Sequence, residues 1–126
     1  MQDRQKLAQI LKAELTFLEQ GGYRRGTRYP WRPNFIFEDS PTCINFRRAG
    51  AERQPCETCP LINFVPLERR GIRFPCRHIE LTETGETVHS FYECGTEEEL
   101  EVALDQWLKK TIRELEGQDS ANVQAA

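Results

Sequence analysis

Apolar residues recur every three to four positions near both ends of this chain and lose that period in between. Over residues 3–20, Leu7, Ile10, Leu11, Leu15, Phe17 and Leu18 trace one face while Lys6, Lys12, Glu14 and Glu19 fall largely on others, which predicts an amphipathic helix. Gly21 and Gly22 are expected to stop it. Towards the other end, Thr96 and Glu99 form a capping-box pattern ahead of a second helix over 97–116. Its apolar stripe runs through Leu100, Ala103, Leu104, Trp107, Leu108, Thr111 and Leu115, and Gly117 is expected to end it. Residues 118–126 are small and polar and are expected to form a disordered tail.

The middle of the chain carries short apolar runs separated by turn residues. Asn34 to Phe37 reads as a strand stopped by the cluster Glu38 to Pro41, and Ile44 and Phe46 alternate with Asn45 and Arg47 as a second strand would. Leu61 to Val65 is a further apolar run, closed by Pro66. Arg77 to Thr82 and Thr87 to Cys94 flank a turn at Glu83 to Glu86, with Gly85 at its left-handed position, and read as a β-hairpin. The fold these elements predict is α+β. A small antiparallel β-sheet is built around a four-cysteine metal site within 34–94, and helices flank it on the N- and C-terminal sides in one metal-stabilised domain over 1–117. Trp107 and the leucines of the last helix are expected to cover the hairpin face that carries Ile79 and Leu81.

The metal site is expected from Pro55-Cys56-Glu57-Thr58-Cys59-Pro60, a CxxC pair bracketed by prolines, with Cys43 and Cys76 outside it in the spacing Cys-x12-Cys-x2-Cys-x16-Cys. Proline confines its neighbours to extended or turn geometry, so thiols placed beside it sit on stiff loops and lose little entropy on chelation. The expected ligands are therefore Cys43, Cys56, Cys59 and Cys76. His78 is the rival for the fourth place, because on a strand Cys76 and His78 share a face. Cys94 lacks the proline context and is expected to be a buried core thiol. Four thiolates point first to structural zinc. An iron–sulfur cluster uses the same ligands, although the spacing matches neither of the familiar ferredoxin runs. Thiol redox chemistry at the CxxC is a third reading, although a thioredoxin-like site needs its first cysteine to open a helix, and Pro60 followed by an apolar run does not supply one.

Composition sharpens this picture. At 38% apolar and 29% charged residues, the chain has a lean supply for a core, which a metal cross-link would supplement. The first twenty residues carry charges throughout and no apolar run approaches a membrane span, which with five cysteines points to a reducing, cytoplasmic setting. Residues 21–80 hold eleven arginines, no lysine and six acids, whereas 81–126 hold three basic and eleven acidic side chains, so the net charge of −3 conceals a basic middle and an acidic end. Arg24, Arg25, Arg28, Trp31 and Arg32 interleave cations with an aromatic ring in an extended connector and are the expected anion- or partner-binding group.

Catalysis is poorly served. There is no phosphate-cradling glycine loop after a strand and no HExxH, the Cys76/His78 pair lacks a third group to orient a base, and four thiolates leave a metal no open position. The chain is thus expected to be non-enzymatic, a zinc-stabilised interaction module or accessory subunit whose partner is another protein. Self-association through the N-terminal helix is a second use of that helix. The alternatives are an iron–sulfur electron-transfer or thiol-redox protein, and a nucleic-acid-binding zinc protein using residues 23–33.

Overall fold

The computed structural model describes residues 4–24, 34–46, 48 and 50–125, with side chains described as far as Gly117. Three α-helices, α1 (Arg4–Glu19), α2 (Val88–Cys94) and α3 (Glu97–Ala125), enclose a middle region made of turns and short 3-10 helices.

Helix α1 forms where its period predicts, and packs Leu7, Ala8, Leu11 and Leu18 inward. It ends at Gly21, whose φ of 76° is the left-handed geometry that lets the Gly21 amide donate back to the Leu18 carbonyl at 3.0 Å. Helix α3 lies against it. Lys12 reaches Glu116, and Lys109 approaches both Glu19 at 3.8 Å and Asp105 at 3.0 Å. The capping box at Thr96 is formed: the Glu99 amide donates to Thr96 Oγ1 at 3.1 Å and the Thr96 amide to Glu99 Oε1 at 2.9 Å. The helix does not stop at Gly117 but continues to Ala125. A glycine costs an interior helical position about 1 kcal/mol, and only a left-handed turn converts that cost into an end. Gly117 is not among the glycines with positive φ.

The expected antiparallel sheet does not form, and the α+β assignment is corrected to a mostly helical one. Among the described residues the only β-pairing is an isolated bridge between Glu80 and Thr87. The turn between them is nevertheless made as expected, with the Gly85 amide donating to the Thr82 carbonyl at 3.0 Å and Gly85 at φ 85°. Beyond the bridge, Thr87 becomes a helix N-cap. The Ser90 amide donates to Thr87 Oγ1 at 3.1 Å and the Thr87 amide to Ser90 Oγ at 3.2 Å, so residues 88–94 form α2 instead of the second hairpin strand. Residues 36–42 form consecutive turns, and Pro60–Phe64 and Pro75–His78 are 3-10 helices. The physical reason is proline. A ring at Pro60 or Pro75 removes a ladder donor and presets the φ of a helix start, so short apolar runs beside these residues coil rather than extend.

One apolar core joins these parts. Leu11 and Leu18 of α1 and Leu100, Leu104, Leu108 and Ile112 of α3 share it with Phe37, Leu61, Ile79 and Val88. Burial of each such side chain is worth about 1.5–3 kcal/mol. Ile79 and Leu81 are buried there as expected, but Trp107 packs elsewhere, edge-on to Phe64 at 5.3 Å and to Phe37 at 6.2 Å between centroids. The inward face of α1 is thus occupied within the chain. No helix among the described residues is long and apolar enough to cross a membrane.

Candidate functional site

Four separate turns converge on one cavity of about 420 Å³, and Cys43, Cys56, Cys59 and Cys76 all line it. Each cysteine is held by backbone geometry. Cys43 closes a turn in which its amide donates to the Ser40 carbonyl at 3.1 Å, and its Sγ accepts from the Asn45 amide at 3.4 Å. Cys56 opens a 3-10 turn after Pro55, and the Cys59 amide donates back to the Cys56 carbonyl at 3.0 Å. Cys59 is buried and precedes the Pro60–Phe64 turn, with the Leu61 and Ile44 amides directed at its sulfur. Cys76 sits on the Pro75–His78 turn, which starts from Phe74 at φ 53°.

Strain concentrates at this cavity. Among the described residues, the two non-glycine side chains with positive φ are Phe37 (64°) and Phe74 (53°), and both line it. A left-handed aromatic costs roughly 1–2 kcal/mol, and such costs persist where surrounding structure holds them, commonly at functional sites.

The electrostatics tie the thiols together. Burial is the main cause raising the pKa of all four, and for Cys76 the rise is large, with Glu38 and the other three thiols adding to it. Each of the four lies close enough to the other three for their charges to interact. Backbone amides on Cys43 and Cys59 act in the opposite direction, favouring thiolate. Arg48, Arg53, Arg73 and Arg77 line the same cavity and outnumber its carboxylates, Glu38 and Asp39.

The expected single-ion centre is not assembled. Among the described residues no three Cys, His, Asp or Glu side chains are grouped so as to hold a metal ion, and all five cysteines are free. Tetrahedral zinc at 2.3 Å from each sulfur requires sulfurs about 3.8 Å apart. Buried thiols have no mutual attraction that would gather them so closely. His78 does not line the cavity; its ring stands 5.3 Å from that of His89. The reason is local, since on a 3-10 turn residues 76 and 78 do not share a face as they would on a strand. Cys94 ends α2 and is exposed, not part of the core.

Of the expected arginine–aromatic group, Arg25, Arg28, Trp31 and Arg32 lie outside the described residues. Arg24 pairs with Glu101, Nε to Oε1 at 3.1 Å.

Two networks were not anticipated from the pattern. Arg77 forks onto Glu38 and lies over the rings of Phe35 and Phe74. Glu14, fully buried, accepts hydrogen bonds from the hydroxyls of Tyr23, Ser40 and Thr42, which fixes the turn leading into Cys43. A signal for Glu14 existed: it falls three positions after Leu11 and four before Leu18, on the buried stripe. Comparisons with protein-family models, with curated proteins and with solved structures find no match.

Proposed function

We propose that the chain is a small non-enzymatic iron–sulfur protein, with Cys43, Cys56, Cys59 and Cys76 as the cluster ligands and one-electron transfer as its activity. The observation that carries this reading is the disposition of the cysteines: all four line one cavity, yet no three are gathered as a single ion requires. A [4Fe–4S] cluster asks for that wider spacing, because each of its four thiolates binds its own corner iron instead of a shared centre. The walls suit it as well. Phe35, Phe37, Leu61 and Phe74 shield the interior from water, backbone amides point at two of the sulfurs, and the arginines offset the negative charge of a four-thiolate cluster. Those three features are the ones through which a protein sets a cluster's potential: exposure, hydrogen bonds to sulfur and net charge.

The test is anaerobic purification of the full chain, with iron and acid-labile sulfide analysis and an absorption spectrum. Iron and sulfide in matching amounts, with broad visible absorbance that bleaches under dithionite and is lost in Cys59→Ser, is the expected result. One zinc per chain with no visible absorbance would overturn it in favour of a structural ion, and metal-free protein would leave the cysteines as core and loop thiols.

A further inference from the structure

The cavity is not equally shielded on all sides. Cys59 is 9% exposed, whereas Cys56 also lines a second, open depression of about 410 Å³ together with Arg53, Ile72 and Arg73. Cys43 borders another groove, but the large apolar side chains there, Ile10, Ile44 and Phe46, are half-buried. On the Cys56 side Ile72 is 41% exposed, one of three large apolar side chains that the described part of the chain leaves in solvent, and Leu67 on the same loop is another at 77%. Arg53 and Arg73 are exposed, and Arg48, whose backbone carbonyl accepts from Arg53 at 3.3 Å, lines the cysteine cavity with them. Glu57 is the carboxylate lining this depression.

We propose that this face, centred on Ile72 beside Cys56 and rimmed by Arg48, Arg53 and Arg73, docks an acidic one-electron carrier protein. The inference rests on the cluster reading above. Charge complementarity selects the partner. Residues 45–77 hold seven arginines against three glutamates, whereas residues 78–126 hold three basic side chains against twelve acidic ones. An acidic protein is attracted to this face and repelled by the acidic C-terminal part of the chain, which biases its orientation as well as its encounter rate. A small contact with an apolar centre and a charged rim is the usual form of a transient electron-transfer encounter. Docking here brings the carrier's centre to the least shielded edge of the site. There, one electron leaves the reduced carrier and enters the oxidised cluster; the carrier is oxidised, the cluster is reduced by one, and no bond or proton changes hands.

The experiment uses the full chain with its cluster and, as probe, a chemically reduced acidic [2Fe–2S] ferredoxin, with the transfer followed by stopped-flow absorbance. The rate is expected to fall about tenfold as salt rises from low to physiological ionic strength and beyond. Ile72→Glu is expected to slow transfer about tenfold while cluster absorbance and dithionite reduction stay as in the wild type. Arg73→Glu, normalised to cluster content, should act in the same direction, and Lys109→Glu on α3 should not. A rate insensitive to salt and to Ile72→Glu, in protein whose cluster dithionite still reduces, would overturn the docking face and leave the cluster reading standing. Protein with no sulfide and no visible absorbance would remove both. Salt-sensitive binding of a single-stranded oligonucleotide, weakened by Arg73→Glu while ferredoxin rates do not move, would replace the acidic protein by nucleic acid and equally overturn the proposal.

Discussion

Arg77 holds Glu38 with two parallel hydrogen bonds, Nε to Oε2 at 2.6 Å and Nη2 to Oε1 at 3.0 Å, across 39 residues of sequence. The guanidinium lies 4.8 Å from the Phe35 ring centroid and 4.6 Å from that of Phe74. One side chain thereby ties the turn that carries Cys76 to the turn that ends in Asp39. The pair is well shielded, at 24% and 14% exposed. Arg77→Lys keeps the charge but loses the planar fork and the stacking. It is expected to cost about 2 kcal/mol, read as a lower urea midpoint with an unchanged slope. A cost below about 0.5 kcal/mol would put the pair with ordinary exposed salt bridges.

The buried carboxylate of Glu14 faces three hydroxyl donors and needs acceptor oxygens only. Glu14→Gln turns one of those oxygens into a donor and is expected to destabilise the fold by about 2 kcal/mol. Tyr23→Phe removes one of the donors and also strips the Phe37 amide of its acceptor, the Tyr23 hydroxyl at 2.8 Å, at a cost of roughly 1–3 kcal/mol. Because both belong to one network, the double variant should lose less than the sum by more than about 0.5 kcal/mol. Additivity in the double-mutant cycle would show that the two residues act independently.

Residues 87–94 separate a hairpin from a capped helix. Thr87→Ala removes the N-cap oxygen and is expected to cost about 1 kcal/mol, with helical carbon chemical shifts over 88–94 in the wild type weakening in the variant. Extended-strand shifts in the wild type would contradict α2 outright.

Tyr23 supplies a pH test. Its hydroxyl is pushed well above the ordinary value of 10.0, first by burial and then by the Glu14 carboxylate. A group whose pKa is raised on folding contributes stability that is complete below the unfolded-state value and is lost as pH climbs through the folded one. The urea midpoint should therefore decline from about pH 10 upward, and the decline should be shallower in Tyr23→Phe, which has no hydroxyl to ionise. Equal slopes in the two proteins would mean that the Tyr23 hydroxyl is not protected by the fold.

The helices at the two ends were legible because their hydrogen bonds are local. A donor four residues from its acceptor imposes the three-to-four period that places Leu7, Leu11 and Leu18, or Leu100, Leu104 and Leu108, on one face. The same locality made the cap at Thr96 and the turn at Gly85 readable. Short apolar runs carry no such information. Asn34 to Phe37, Leu61 to Val65 and Thr87 to Cys94 fit a strand or a helical turn equally well, and a strand further requires a distant partner that no local pattern reports. In the last of these, the Thr87–Ser90 cap was the overlooked local clue.

The sequence by itself determined that α1 and α3 exist, where α1 ends and α3 begins, and that four cysteines sit on proline-stiffened turns. Only the tertiary structure decided that those cysteines share one cavity without closing on a point. It also decided that Glu14 lies in the interior with its three donors, and that Arg77 clasps Glu38 beside Cys76. The physical reason is range. Helix propensity, capping and turn geometry are settled within a few residues, whereas a cavity and a buried carboxylate network arise only when segments tens of residues apart exclude water together.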